Sequence, residues 1–282
     1  MNIINSLRKK LRYSQYKPFV YTENVRLSYS GRSICGGILQ GKNVLITGAT
    51  GGIGEALVNR FIIEKANVYI SGRDEKKVNS LFEKVANKYP QANVKTVIIN
   101  NLELEDMEIK VDSLLQNHKI DILVNNSGVY TDIDRKRMFR GVSREQFYTS
   151  WITNYEATYK ISMLVADSMN RRGVGNIINI SSICAKSRKY MYTPYGITKG
   201  AILGIKKEIE DKYKNVVVNS ILPGTVATSM NNAAYGDDIV INRNKIGRAA
   251  LPEEIAAIVA WISSMNGKIK SECIIPSACE IL

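Results

Sequence analysis

Short apolar runs rich in β-branched residues alternate with longer amphipathic runs, and this order constrains the fold more than any other feature of the chain. The apolar runs predict six strands, at residues 43–47, 67–71, 94–99, 121–125, 176–181 and 216–221. Between and after them, helical spacing predicts helices at 52–64, 74–88 and 252–264. The alternation predicts an α/β fold: a doubly wound parallel sheet in a three-layer arrangement, with a ligand crevice at the carboxyl ends of the strands.

Composition divides the chain into one large domain and a short leader. Its 282 residues, 45% of them hydrophobic, are enough for one substantial core, which we assign to residues 41–282. Residues 1–40 form a basic N-terminal extension, and residues 1–42 contain eight basic residues against one acidic residue. Apolar residues repeat there at helical spacing, at Ile3, Ile4, Leu7 and Leu11. About ten residues offer little apolar area, so protein packing or disorder is favoured over membrane contact.

Several classes of function are disfavoured by what the chain lacks. The net charge is +13, yet no nucleic-acid-binding motif accompanies it, so a solvated basic surface is favoured over nucleic-acid binding. His118 is the only histidine and the four cysteines have no metal-ligand spacing, which predicts no metal site. No apolar run reaches the roughly 20 residues that span a bilayer, and no signal peptide is evident. We therefore expect a cytoplasmic protein with reduced thiols.

A glycine-rich stretch, Thr47-Gly-Ala-Thr-Gly-Gly-Ile-Gly54, joins the first predicted strand to its helix. Gly48, Gly52 and Gly54 follow the pattern G-x-x-x-G-x-G. Glycines at this place allow a tight turn and let backbone N–H groups and the helix N-terminus face a pyrophosphate. The stretch therefore predicts a nucleotide-binding site, although glycines also serve ordinary turns.

The end of the second predicted strand, Ser71-Gly72-Arg73-Asp74, bears on the choice of nucleotide. Arginine pairs with a phosphate through two charge-assisted hydrogen bonds, so Arg73 favours NADP(H), with its 2′-phosphate, over NAD(H). Two alternatives remain open. Asp74 caps the next helix while Arg73 is merely solvated, or Asp74 binds the ribose hydroxyl of NADH.

Tyr195 and Lys199 stand four residues apart on a predicted helix, so they share one face. A nearby ammonium lowers a phenol pKa from about 10 by some 1 to 3 units, toward a range useful for proton transfer. Tyr13 and Lys17 have the same spacing in the leader, so the pair alone proves little. Ser182, thirteen residues before Tyr195 and just past the fifth predicted strand, distinguishes the second pair.

Together these motifs resemble the short-chain dehydrogenase/reductase family in its single-domain Rossmann form, including its 3-oxoacyl-acyl-carrier-protein reductases. The resemblance runs from about residue 41 to residue 276. The matching residues are the glycine stretch 47–54, Asn125-Asn-Ser-Gly128, Asn154, Ser182, Tyr195, Lys199 and Pro223-Gly-Thr-Val-Ala-Thr228.

The resemblance implies a role for each matching residue. Tyr195 is the acid or base at the substrate oxygen, Ser182 hydrogen-bonds that oxygen, Lys199 lowers the tyrosine pKa and holds the nicotinamide ribose, and Asn154 anchors a water in the proton relay. Without the resemblance, Asn154 could equally satisfy helix backbone. The implied cofactor contacts are Thr47, Gly48, Thr50, Gly52, Ile53, Gly54, Arg73, Asn101, Leu102, Asn125, Gly128, Tyr195, Lys199, Pro223, Gly224, Val226 and Thr228.

The chain also departs from the family pattern. Asn101 replaces an aspartate that commonly contacts adenine, and Ser127 replaces an alanine. Residues 271–282 lack the Gly and Val-Asp-Gly-Gly that often mediate a subunit contact. The family implies a homodimer or homotetramer, but this tail lacks the usual residues for that contact.

The resulting hypothesis is an NADPH-dependent reductase of a ketone or aldehyde. The alternatives are an NAD-dependent alcohol dehydrogenase working oxidatively and a cofactor-binding sensor without turnover. Residues 183–194 should border the substrate pocket and contain Lys186, Arg188 and Lys189, which indicate either an anionic substrate or a solvated surface. Residues 225–247 contain no clear strand and predict a segment that covers the substrate.

Overall fold

A computed structural model describes residues 36–131, 142–186, 193–230, 249–265 and 272–275. The elements follow in the order β1 (Asn43–Ile46), α1 (Gly52–Ile63), β2 (Asn67–Gly72), α2 (Glu75–Lys88), β3 (Val94–Ile98), α3 (Leu104–Asn117), β4 (Ile122–Asn125), α4 (Arg144–Trp151), a π-helical turn (Ile152–Glu156), α5 (Ala157–Arg171), β5 (Gly175–Ile180), a 3₁₀ turn (Ile183–Ala185), α6 (Pro194–Lys212), β6 (Val216–Pro223), α7 (Pro252–Ser264) and β7 (Glu272–Ile275).

The strands form one seven-stranded sheet in the order β3-β2-β1-β4-β5-β6-β7, and every neighbouring pair is parallel. The chain runs outward from β1 to β3 and then returns to place β4 on the other side of β1. This reversal of strand order opens a crevice beyond the carboxyl ends of β1 and β4. The predicted doubly wound parallel sheet is confirmed.

Two hydrophobic cores cover the two faces of the sheet. Because side chains alternate along a strand, Val44 and Ile46 of β1 face one core and Leu45 faces the other. The first core is completed by side chains of α1, α2 and α7, and the second by side chains of α3, α5 and α6. Burial on both faces explains why the central strands β1, β4, β5 and β6 do not show the alternating apolar and polar pattern of a half-exposed sheet.

The packed domain begins before β1. The main chain of Leu39 bonds to the carbonyl of Glu64, and its side chain is buried. The buried Glu64 carboxylate accepts hydrogen bonds from Gly37 N–H and Ile38 N–H at 3.1 and 3.3 Å and pairs with Arg60 at 2.6 Å. Residues 37–40 thus belong to the domain, whereas the sequence pattern assigns them to the extension. The proposed leader helix lies outside the described residues.

All six predicted strands are present with ends shifted by at most two residues, and α7 spans the predicted residues. The sequence analysis missed β7, because its four residues are too short to carry a periodic signal. Of the continuous helical stretch from α4 through the π turn to α5, the sequence predicts only a helix at residues 151–155, around Asn154.

Candidate active site

The candidate active site lies where β1, β4, β5 and β6 end. Thr47, directly after β1, is buried, and its Oγ1 accepts hydrogen bonds from the N–H groups of Asn126 and Ser127 at 3.0 and 3.1 Å. In return, Asn126 Nδ2 donates to the carbonyls of Thr47 and Gly48 at 3.2 and 2.9 Å. The loop after β4 therefore braces the glycine turn. Sequence reasoning treated Asn126 only as part of a motif and missed this role.

The glycine turn leaves no room for a Cβ at Gly48, Gly52 or Gly54. Gly48 has φ +60°, and a Cβ there would lie 2.7 Å from Ser127 Cα. At Gly52 a Cβ would lie 2.8 Å from the methyl carbon of Thr228, so the turn after β1 and the loop after β6 approach each other closely. A bare backbone cradle at the N-terminus of α1 fits a pyrophosphate. Of the neighbouring predicted contacts, Thr50 is partly buried beside Gly72, and Ile53 packs partly against the first core.

The β2–α2 turn presents Arg73 and Asp74 differently. Asp74 is the N-cap of α2, and its Oδ1 accepts a hydrogen bond from Lys77 N–H at 3.1 Å. Arg73 is exposed, and no hydrogen bond or ion pair joins it to another described residue. The capping role that the sequence left open for Asp74 is therefore realised, while the Arg73 guanidinium faces solvent.

Helix α6 positions Tyr195 and Lys199. Thr193 caps the helix by accepting from Gly196 N–H at 3.1 Å, and Pro194 occupies its first turn. Lys199 is only 4% exposed, and its Nζ donates to the carbonyl of Ile180 at the end of β5 at 2.9 Å. The same Nζ lies 5.8 Å from the centre of the Tyr195 ring. The structure thus brings the predicted pair together beneath the crevice.

Burial lowers the pKa of Lys199 to about 8, because the ammonium has left water, and the electrostatic interaction with Cys184 opposes this shift. A buried cation close to a phenol stabilises the phenolate. The arrangement therefore suits a tyrosine that exchanges a proton with a bound oxygen.

Ser182 lies two residues after the end of β5 and is buried. Its Oγ accepts a hydrogen bond from Cys184 N–H at 3.2 Å, which caps the 3₁₀ turn. None of the hydrogen bonds among the described residues uses the Ser182 hydroxyl proton, so this hydroxyl can donate to an oxygen in the crevice.

Asn154 lies inside the π-helical turn and is fully buried. Its Oδ1 accepts from Val129 N–H at 2.7 Å, and its Nδ2 donates to the Val129 carbonyl at 3.0 Å and to Thr198 Oγ1 at 3.0 Å. These partners lie outside its own helix, so Asn154 does not serve to satisfy helix backbone. A Cβ on Gly128 would lie 3.1 Å from Lys199 Nζ and 3.4 Å from Asn154 Oδ1, which places Gly128 in the same cluster.

Tyr130 is a further member of the site that sequence reasoning missed. Its ring packs edge-to-face on the ring of Tyr195, with centroids 5.2 Å apart and an interplanar angle of 75°. The only sequence signal for this residue is its position two residues after Gly128.

Two asparagines are held by neighbours inside the protein. Asn125 Nδ2 donates to Ser162 Oγ and Asn179 Oδ1, both at 2.8 Å, so its side chain ties β4 to β5 and α5 instead of lining the crevice. Asn101 Nδ2 donates to the Thr153 carbonyl at 3.2 Å, which leaves its Oδ1 as the available acceptor. The next residue, Leu102, is 42% exposed.

The loop after β6 is anchored by a short parallel bridge between Val226 and Ala250. Ala227 N–H donates to the Ala250 carbonyl at 2.8 Å, and the Val226 side chain is buried in the first core. Pro223 is buried at the end of β6, whereas Gly224 and Thr228 are partly exposed beside the crevice. Lys186 is partly buried; Arg188, Lys189 and residues 231–247 of the expected substrate-covering segment lie outside the described residues.

Within the described ranges, no cluster of metal-ligating side chains is present, and no helix combines the length and apolar character needed to cross a bilayer.

A doubly wound sheet with a glycine cradle and a Tyr–Lys pair along one edge defines a nicotinamide-dependent oxidoreductase. A family model described as short chain dehydrogenase matches residues 42–238. The chain belongs to this family, and it is an NAD(P)(H)-dependent oxidoreductase.

Relatives and solved structures agree with this assignment. The chain is 30% identical to the 3-oxoacyl-[acyl-carrier-protein] reductase FabG of Chlamydia pneumoniae over 233 residues, which cover 80% of this chain and 91% of that protein. It is 29% identical to a tropinone reductase homolog of Arabidopsis thaliana over 229 residues, covering 79% and 85%. A short-chain dehydrogenase/reductase from Serratia marcescens has a TM-score of 0.75 at 26% identity, covering 85% of this chain and 98% of that one.

Proposed function

We propose that the protein reduces a ketone or aldehyde to an alcohol, with NADPH as the preferred cofactor and Tyr195 as the proton donor. The observation that carries the proposal is the buried Lys199 ammonium, which lies 5.8 Å from the centre of the Tyr195 ring and donates to the carbonyl of Ile180, two residues before Ser182. Carbonyl reduction needs preplaced donors, because the substrate oxygen gains negative charge as the reaction proceeds.

Each residue has one task in this mechanism. The glycine turn at the start of α1 would hold the pyrophosphate of a nicotinamide cofactor, which when bound would supply the hydride for the carbonyl carbon. Ser182 Oγ–H donates a hydrogen bond to the carbonyl oxygen, and the Tyr195 phenol transfers its proton to that oxygen as the alcohol forms. Lys199, held by the Ile180 carbonyl, stabilises the resulting phenolate. Tyr130 supports the Tyr195 ring from its edge.

The substrate class is proposed from what the relatives share. Their names include an acetoacetyl-CoA reductase of Cupriavidus necator, several 3-oxoacyl-[acyl-carrier-protein] reductases and a 7alpha-hydroxysteroid dehydrogenase of Bacteroides fragilis. A secondary alcohol and its ketone are common to all of them. We therefore place 3-oxoacyl thioesters first in a panel of carbonyl compounds, and add anionic ketones because Lys186 directly follows the 3₁₀ turn that Ser182 caps.

Tyr195→Phe tests the mechanism. Without the phenolic hydroxyl the proton donor is lost, so kcat should fall by a factor of roughly 10² to 10⁴, while the dissociation constant for NADPH should change little. Steady-state NADPH absorbance with the best substrate of the panel gives kcat, and NADPH fluorescence gives the dissociation constant. Tyr89→Phe, which removes a phenolic hydroxyl at the C-terminal end of α2, is the control for generic substitution effects.

The outcomes separate the alternatives. Normal turnover by Tyr195→Phe would refute the mechanism. A wild-type protein that binds NADPH but reduces nothing in the panel would favour the sensor hypothesis. Turnover found only with an alcohol and NAD⁺ would favour the oxidative dehydrogenase.

Cofactor preference is tested at Arg73. Its exposed guanidinium lies in the turn between β2 and α2, where it can pair with a 2′-phosphate. Arg73→Ala should weaken NADPH binding about tenfold and leave NADH binding nearly unchanged, since one charge-assisted contact is worth roughly 1.5 kcal/mol or more. Arg144→Ala, an exposed arginine on α4, is the control. Equal binding of both cofactors by the wild-type protein would defeat the argument from Arg73.

We further propose that the protein is cytoplasmic, binds no nucleic acid and assembles as a homodimer or homotetramer. A continuous aromatic row along α4, the π turn and α5 supports self-association. Its members are Phe147, Trp151, Tyr155 and Tyr159, which contact one another in sequence and are only partly buried. A row of this kind is typical of surfaces that pack against another protein.

A further inference from the structure

Thr198 precedes the buried Lys199 on α6, is fully buried itself, and belongs to none of the roles assigned above. Its hydroxyl makes two hydrogen bonds in opposite senses. Oγ1 accepts from Asn154 Nδ2 at 3.0 Å and donates to the Tyr195 carbonyl at 2.9 Å. The second bond reaches back along the helix by three residues, a geometry that threonine adopts readily.

The two bonds complete a continuous chain across three elements. The main chain of Val129, in the loop after β4, pairs with the Asn154 amide; Asn154 donates to Thr198; Thr198 donates to the turn that carries Tyr195. Each link uses a different polar atom. The Asn154 amide uses both of its N–H groups, one on Val129 and one on Thr198, so no other donor of Asn154 can replace the link to α6.

Because its side chains are buried, this series of hydrogen bonds constrains the positions of the elements that it connects. Asn154 and Thr198 are both fully buried, and a buried donor deprived of its partner is costly. Thr198 is therefore where the first turn of α6 is held against the π turn. Without this link, Tyr195 would keep its helix and its ring contact with Tyr130, but its turn would lose the buried hydrogen-bonded connection through Asn154 to Val129.

We propose that Thr198 is a positioning residue, whose hydroxyl couples the turn carrying Tyr195 to Asn154 and, through it, to the loop that follows β4. The proposal rests on the reductase function proposed above. It concerns the hydroxyl group, and not merely the volume that the side chain fills.

The test compares Thr198→Val, which keeps the shape and removes the hydroxyl, with Thr198→Ser, which keeps the hydroxyl. Misplacement of a reacting group by about 1 Å can cost up to a factor of 10² in rate. Thr198→Val should therefore lower kcat by roughly 10- to 100-fold, with KM for the carbonyl substrate and the NADPH dissociation constant within about twofold of wild type. Thr198→Ser should retain at least about half of the wild-type kcat.

Thr153→Val is the matched control. Thr153 is buried one residue before Asn154, but its Oγ1 has no hydrogen-bond partner among the described residues. Removing this hydroxyl should leave kcat unchanged.

A readout independent of turnover is the hydrogen–deuterium exchange of the segment 126–131 in the nucleotide-free protein. Val129 N–H is bonded to Asn154, so exchange in this segment should be faster in Thr198→Val and unchanged in Thr198→Ser. A wild-type protein without carbonyl reduction would refute the proposed function, while the exchange data would still decide the role of Thr198.

Wild-type kcat and wild-type exchange in Thr198→Val would overturn the inference. Equal loss of kcat in the Ser and Val variants would also overturn it, since the methyl group and not the hydroxyl would then matter.

Discussion

Lys199 is a buried cation that donates a hydrogen bond to the Ile180 carbonyl. Burying the charged ammonium lowers the free energy of unfolding, and the proposed role of Lys199 beside Tyr195 requires this burial. The folded protein releases the Lys199 proton at a pH of about 8, while the unfolded chain holds it up to about 10.5. Below pH 8 the ammonium is charged in both states and the burial penalty is fully present. Between these two values the unfolded state binds more protons, so stability rises with pH.

We predict that this rise disappears in Lys199→Met. In the absence of nucleotide, the unfolding free energy of wild type minus that of Lys199→Met should increase between about pH 8 and pH 10.5, by up to about 3 kcal/mol. Urea denaturation at a series of pH values measures it. Lys207→Met removes an exposed lysine from the same helix and is the control. A difference that stays flat or falls over this range would contradict the assignment of a lowered pKa to Lys199.

Among the elements, the β1–α1 turn is a unit whose glycines serve packing as well as ligand binding. A Cβ at Gly54 would lie 2.3 Å from the Gly48 carbonyl oxygen and 2.6 Å from that of Ala49. Both obstacles are backbone atoms of the same turn, which is held from the other side by Asn126. The turn cannot yield without breaking these hydrogen bonds.

Gly54→Ala should therefore destabilise the protein by roughly 2 kcal/mol or more, even without nucleotide. Gly204→Ala is the matched control, because Gly204 lies in α6 and a Cβ placed on it would have no neighbouring atom within 4 Å among the described residues. That variant should gain about 0.5 to 1 kcal/mol from helix propensity alone. Urea denaturation of both variants measures the free energy of unfolding. A Gly54→Ala protein as stable as the wild type would show that the turn can open without cost.

The helical stretch that contains Asn154 shows which details of an element cannot be predicted from the sequence. A helix around residues 151–155 was predictable from the sequence, but the π turn at Ile152–Glu156 was not, because no residue type specifies it. The wider turn coincides with the packing around Asn154, which bonds to Val129 and Thr198 from outside the helix.

In the molecule as a whole, one sheet separates two cores, and the candidate catalytic and cofactor-binding residues lie at the edge where its strands end. Strand order places β1 between β2 and β4, so the glycine turn after β1 meets the loop after β4, about 80 residues later in the chain. Ser182 follows β5 and Thr228 follows β6 for the same topological reason. Parallel strands end on the same side, so residues distant in sequence converge without any further device.

Local signals in the chain were enough to predict the six main strands and the doubly wound fold, and to single out the glycine turn and Ser182, Tyr195 and Lys199 as candidates for the site. These signals are apolar periodicity, glycine placement, and two side chains on one helical face. Tyr13 and Lys17 show the limit of such signals, because identical spacing occurs there without a predicted strand end nearby.

Only the tertiary structure shows which side chains of one element bond to, or pack against, residues of another element. Folding turns Asn125 into the interior, makes Asp74 a helix cap, brings Tyr130 onto Tyr195 and connects Thr198 to Asn154. The physical reason is that a side chain's partner is set by which elements lie next to each other and at what register. Periodicity within one segment carries no information about a neighbour that folds against it from elsewhere in the chain.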